Sequence, residues 1–245
     1  MRAEEIAKDR IYSVMDELTE HGGRSLCWAA LIATLFALGA RITEATSLRR
    51  GDFLRVDGTL RDKVRRVKLK ARKYKSQPIE LSPKLTAKII EEIRRMPGMA
   101  DVPAGAVAIH AKTPKLEEER IERTIPDRLR PYIERWLEYQ RFQYGRMRDD
   151  DFVFSLLGDN RTIHRGTAWR EFKRLFPGID NVGTHSFRRS YSLQQFRALQ
   201  AERGMAPMDA ARVIQRLLDH KALETTWAYL TATNANPEIT ISALE

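Results

Sequence analysis

The stretch from Leu217 to Leu230, LLDHKALETTWAYL, constrains the fold of this chain more than any other segment. His220 stands nine positions before Tyr229. On one unbroken α-helix nine residues turn through about 900°, which sends the two side chains to opposite faces. They can share a site only if the helix stops between them. The sequence supplies that stop. Asp219-His220-Lys221 closes a helix opened by Pro207, and Thr225 or Thr226 can cap the next one. Tyr229 then lies in the first turns of a short helix and can swing back toward His220. Taken alone, Tyr229 reads better as a core aromatic beside Trp227 and Leu230.

Two other clusters carry chemistry. His185-Ser186-Phe187-Arg188 places a histidine and an arginine three apart. At the start of a helix they share a face and can address one phosphate. The arginine fork matches two phosphate oxygens and stays charged, while histidine donates or accepts a proton near neutral pH. Gly39-Ala40-Arg41-Ile42-Thr43-Glu44 places a carboxylate three residues after an arginine, where it can hold the guanidinium in place. Each motif alone also fits a plain structural role, such as an ion pair at a helix end.

The 245 residues are 42% hydrophobic and 31% charged, as in a folded globular chain. The 43 Lys and Arg outweigh 33 Asp and Glu, and a net charge of +10 favours a polyanionic partner such as nucleic acid. Cys27 is the only cysteine, which excludes an internal disulfide and a cysteine-based zinc site. It sits in the apolar run Leu26 to Leu38 and reads as a small core residue. That run, close to Arg24 and Arg41, is too short to span a bilayer. The opening Met1-Arg2-Ala3-Glu4-Glu5 has no apolar signal-peptide core. The expected location is the cytoplasm, in association with the nucleoid.

Apolar periodicity predicts helices over 3–19, 25–38, 43–48, 127–143, 164–175, 188–199 and 207–218. A further helix opens at Ser82-Pro83, carries Ile89, Ile93 and Met96 inward, and ends at Pro97-Gly98. Residues 64–81 suggest a β-hairpin: Val64 to Leu69, a basic tip, then Ile79 to Leu81. Val107 to Ile109 and Phe152 to Phe154 suggest short extended segments, and Lys112 to Arg123 a charged, solvent-exposed stretch. The expected fold is mainly α with a small antiparallel β-sheet (α+β), in a single domain over 1–245. Residues 98–126 form a candidate insertion and 230–245 a tail.

Together these residues resemble the catalytic domain of the tyrosine recombinase (phage integrase) family, from about Ile6 to Leu230. The resemblance rests on Gly39-x-Arg41-x-x-Glu44 with Leu48-Arg49-Arg50-Gly51-Asp52, on Thr184-His185-Ser186-Phe187-Arg188-Arg189-Ser190, and on Leu217-Leu218-Asp219-His220 leading through Thr225-Thr226 to Tyr229. It implies that Tyr229 attacks a DNA phosphate to form a 3′-phosphotyrosyl link and release a 5′-hydroxyl. Arg41 and Arg188 would clamp the non-bridging oxygens, with Glu44 supporting Arg41. His220 would add a hydrogen bond, and His185 would act as base or proton relay for a tyrosine whose ordinary pKa is about 10. No metal, no other cofactor and no ATP is implied.

The family also uses a lysine at a β-hairpin tip as general acid. Counting back from Ile79-Glu80-Leu81 in the commonest register lands on Arg72. A turn one residue shorter selects Lys73, the better proton donor. Lys112, ahead of Arg123-Thr124-Ile125-Pro126 and a helix, is the alternative. Between Arg41 and His185 the chain carries about thirty to forty residues beyond the family's pattern, suited to a loop or subdomain. Asp219 stands where the family has glycine, and the family's N-terminal core-binding domain is expected to be absent.

The resemblance implies a site-specific recombinase, an integrase or resolvase of the kind carried by mobile genetic elements. Its partners would be double-stranded DNA and further copies of itself, a tetramer on two paired sites, with no small-molecule substrate. Two other readings of the same scaffold are a non-catalytic DNA-binding regulator and a type IB topoisomerase-like relaxing enzyme. A helical RNA-binding or scaffold protein would make the motif order coincidental.

Overall fold

A computed structural model describes residues 4–69, 73–78, 91, 95, 110–115, 118–145, 147–156 and 161–230. The chain divides into two compact units, one of residues 1–67 and 120–245 and one of residues 68–119.

The larger unit is built around α2 (Ser25–Leu38), in which all but Ser25 and Leu26 are buried. Such a helix is apolar on every side and must be wrapped by others. Helix α1 (Lys8–His21) covers it with Ile11, Val14, Met15 and Leu18. Helix α5 (Arg130–Tyr144) and helix α7 (Thr184–Arg203) also pack on it. Short helices α3 (Ile42–Thr46) and α4 (Arg50–Phe53) follow α2. Helix α6 (Arg165–Leu175) packs on α7. Helices α8 (Pro207–Leu218) and α9 (Leu223–Leu230) pack on α7 and on each other. The chain start is tied down by Ser190, whose Oγ accepts from Ile6 N at 2.9 Å and donates to Ile6 O at 2.9 Å. Cys27 is fully buried, as expected, and burial pushes its thiol pKa up. Among the described residues no helix is long and apolar enough to cross a membrane.

Strand β1 (Lys63–Leu69) pairs with β4 (Glu118–Thr124). The other arm of the expected hairpin, Ile79 to Leu81, lies outside the described residues. The foot of the β1–β4 pair is pinned by Ile125 N donating to Asp62 O at 3.3 Å, with Val64 and Ile125 buried. Lys112 to Arg123, expected as an exposed charged stretch, contributes to β3 and β4. Its Glu and Arg residues mask the two-residue period by which strands are recognised.

In the smaller unit β2 (Lys73–Pro78) pairs antiparallel with β3 (His110–Lys115), in a register from Lys73 opposite Lys115 to Pro78 opposite His110. Ser76 stands opposite Lys112. The expected helix over 82–96, with Glu91 and Arg95 excepted, and the expected extended segments 79–81 and 107–109 lie outside the described residues, as does the tail after Leu230.

In the Phe152 to Phe154 segment, Phe152 forms an isolated antiparallel bridge to Arg49. Val153 is buried, and its carbonyl accepts from Trp136 Nε1 at 2.7 Å and Gln140 Nε2 at 2.9 Å.

Candidate active site

Helix α7 begins at Thr184, four residues before the expected start, so His185 and Arg188 both lie in its first turns. Ser186 Oγ accepts from Gly183 N at 3.1 Å and closes the helix start. Arg188 is 1% exposed. Its Nη1 donates to Gly39 O at 2.7 Å and its Nη2 donates to Leu218 O. Gly39 ends α2 in the left-handed conformation, with φ of +56°, and Leu218 is the last residue of α8. One guanidinium thus ties together the ends of two helices, just ahead of Arg41 and His220.

Arg41 is the N-cap of α3. Glu44, fully buried, uses both carboxylate oxygens on it. Oε2 accepts from the Arg41 backbone N at 2.8 Å, and Oε1 accepts from Arg41 Nη1 at 3.0 Å. The Arg41 side chain remains 41% exposed. A buried carboxylate therefore orients a guanidinium that still meets solvent.

Helix α8 ends in a Schellman turn. Asp219 N donates to Arg216 O at 3.3 Å, His220 N donates to Gln215 O at 3.0 Å, and Asp219 takes φ of +57°. Among the described residues it is the one non-glycine with positive φ. Gln215 Nε2 donates to His220 O at 3.2 Å, and Arg123 Nη2 donates to Leu217 O at 3.0 Å.

The helix break expected between His220 and Tyr229 is present, but neither threonine caps the helix beyond it. Helix α9 starts at Leu223, which places Thr225 and Thr226 inside it. Thr226 is buried, and its Oγ1 lies 2.9 Å from His220 Nδ1. The Tyr229 hydroxyl lies 3.1 Å from His185 Nδ1. The His220 and Tyr229 ring centroids are 5.2 Å apart, with the planes tilted by 47°.

Both histidines are held below the ordinary imidazole pKa. For His185 the first cause is desolvation, followed by the charges of Arg188, Arg165 and Arg41. For His220 desolvation again leads, with Arg188 and Arg41, and the pKa falls to about 4 although Asp219 pulls it up. At neutral pH both rings are neutral, among fixed guanidinium charges.

Arg41, Glu44, His185, Arg188, His220 and Tyr229 therefore gather at one place. Lys73 is in β2 and Lys112 in β3; their side chains lie outside the described residues. Sequence reasoning missed Arg165, the contacts of Arg123 and of the Gly39 carbonyl, and the contact of Thr226 with His220, since it reads Thr226 as a helix cap. Arg165 opens a basic helix and carries no local signature; Arg123 and Gly39 act through contacts distant in sequence, and Thr226 through a contact across the α8–α9 break. Among the described residues, no three His, Cys, Asp or Glu side chains are grouped as metal ligands.

Solved structures share this fold. XerA recombinase superposes with a TM-score of 0.57 at 14% identity, over 99% of this chain and 64% of that one. A XerH site-specific recombinase bound to palindromic difH substrate in a post-cleavage complex gives 0.55 at 14% identity, over 97% and 52%. The Tn1549 transposon integrase in complex with circular intermediate DNA gives 0.54 at 12% identity, over 100% and 66%. The chain spans between about half and two thirds of the length of these proteins. No protein-family model and no curated protein matches the sequence. In fold the chain resembles the catalytic domain of the tyrosine recombinases.

Proposed function

We propose that this chain is a site-specific DNA recombinase that cleaves and rejoins duplex DNA through a 3′-phosphotyrosyl intermediate on Tyr229. The observation that carries the reading is the 3.1 Å contact between the Tyr229 hydroxyl and His185 Nδ1, beside Arg188, Arg41 and His220. His185, neutral at pH 7, accepts the Tyr229 proton as the phenolic oxygen attacks phosphorus. The bond from phosphorus to the 5′-oxygen breaks, and the leaving oxygen takes a proton from a lysine, Lys73 in the first instance and Lys112 as the alternative.

Arg41, oriented by Glu44, meets the non-bridging oxygens. Arg188 adds buried positive charge while holding the two helix ends in register, and His220 donates a hydrogen bond. The phosphotyrosine conserves the energy of the broken bond, so a second 5′-hydroxyl reverses the step without ATP. The partners are double-stranded DNA and further copies of the chain, as a tetramer on two paired sites. Integration or resolution on behalf of a mobile element, in the cytoplasm at the nucleoid, is the setting this chemistry suits.

The test is covalent capture. Protein is mixed with supercoiled plasmid and with nicked duplexes in EDTA, quenched with SDS, and probed for DNA-linked protein, with Tyr229→Phe alongside. The expected result is an adduct from the wild-type chain and none from Tyr229→Phe. DNA binding without an adduct from the wild type sinks strand transfer in favour of a DNA-binding regulator. An adduct that survives Tyr229→Phe removes Tyr229 as nucleophile. Relaxation of plasmid irrespective of sequence, with no site preference, points to a topoisomerase-like enzyme instead.

A further inference from the structure

Thr226 is completely buried in α9, so its hydroxyl hydrogen cannot be satisfied by solvent. Among the described residues its one hydrogen-bond partner is His220 Nδ1, at 2.9 Å. Two arrangements of protons are open to this pair. If Nδ1 carries the hydrogen and donates to Oγ1, the threonine hydrogen is left in the interior with no acceptor, which is unfavourable. If the threonine donates and Nδ1 accepts, both groups are satisfied. A neutral imidazole has one N–H, and in the second arrangement it sits on Nε2.

We propose that Thr226 is a positioning residue for His220, its hydroxyl donating to Nδ1 and holding the imidazole in the Nε2–H tautomer. The consequence rests on the strand-transfer reading: the ring then offers an N–H, rather than a lone pair, to a phosphate oxygen. With Nδ1–H the Nε2 lone pair would face that oxygen and repel it. Thr226 and Tyr229 are three residues apart on one helix face. Seating of α9 therefore delivers the nucleophile and sets the proton position on His220 in a single event.

The test reads the His220 ring nitrogens by NMR at neutral pH in the full chain without DNA, for wild type, Thr226→Val and Thr226→Ser. In wild type Nδ1 shows the shift of an unprotonated nitrogen and Nε2 that of a protonated one. Thr226→Val, of nearly equal volume, moves both shifts toward the tautomer average. Thr226→Ser, which keeps the hydroxyl, retains the wild-type pattern. Adduct formation with a nicked duplex slows by roughly ten-fold in Thr226→Val at unchanged DNA affinity, the scale seen when the partner that orients an imidazole is removed, and recovers in Thr226→Ser.

A protonated Nδ1 in wild type overturns the proposal, whether or not the valine variant folds. Wild-type shifts in Thr226→Val, or a shifted tautomer with an unchanged adduct rate, overturn it as well. If the nitrogen pattern is as expected and the wild type forms no DNA adduct, strand transfer fails and the tautomer stands.

Discussion

At the scale of single residues, the histidines carry the sharpest prediction. His220 has a folded pKa of about 4, below the roughly 6.5 of an unfolded histidine. The unfolded chain therefore takes up its proton first. The stability that His220 contributes is complete above about pH 6.5 and is lost as pH falls toward 4. Replacing His220 with Gln should flatten that limb of a stability-versus-pH curve measured by urea denaturation; an unaltered limb would count against the depressed value. The same guanidinium charges that depress His185 and His220 are the ones a phosphate would offset. Adding inorganic phosphate or DNA should therefore raise both histidine pKa values in an NMR titration. Asp219 belongs at this scale too. Sequence reading marks it as standing where glycine is customary, and the structure gives the reason, a left-handed residue in a Schellman turn.

At the scale of elements, the candidate site is a meeting of helix ends: the end of α2, the starts of α3 and α7, and the break between α8 and α9. Arg188 joins the first and last of these through Gly39 O and Leu218 O. Gly39 is thereby committed twice. Its φ of +56° disfavours a side chain, and a Cβ there would meet the Tyr191 ring, with Cε1 at 2.8 Å. Gly39→Ala should cost about 2–4 kcal/mol, combining left-handed strain with overpacking. It should also slow adduct formation by displacing the carbonyl that Arg188 holds, two residues before Arg41. Urea midpoints and single-turnover rates check both effects, and a variant with wild-type stability would contradict the geometry described for α2. This is also the scale at which sequence was most legible. α1, α2, α5, α6 and α8 announce themselves through apolar period, Pro207 and the glycine stops. The α8–α9 break follows from the need to bring His220 and Tyr229 together. Non-local choices stayed hidden. The partner of β1 is β4, far along the chain, with Val64 and Ile125 buried at the foot of the pair. Thr226, read as a cap from its position, serves His220 through a contact that depends on how α9 docks.

At the scale of the whole molecule, the open question is the contribution of residues 68–119. Sequence reading sets the candidate insertion at 98–126, whereas chain contacts gather 68–119 into a unit of their own. The described buried hydrophobic side chains, between Ile6 and Val64 and between Ile125 and Leu230, give the larger unit a core of its own. Joining Val67 to Arg120 through a short Gly-Ser linker should therefore leave a protein that unfolds in one cooperative transition, with a midpoint near that of the full chain. A broad or lost transition would mean that the larger unit does not stand alone. The shortened chain also isolates the general acid, since Lys73 and Lys112 are removed together. With an ordinary DNA phosphate it should bind and fail to form the tyrosyl adduct. With a 5′-bridging phosphorothiolate, whose thiolate leaves without a proton, adduct formation should return. Recovery of this kind in full-length Lys73→Ala but not in Lys112→Ala would assign the proton to Lys73, and the converse to Lys112. Cleavage of the ordinary phosphate by the shortened chain would remove both lysines from the chemistry and leave the proton to a residue of the larger unit.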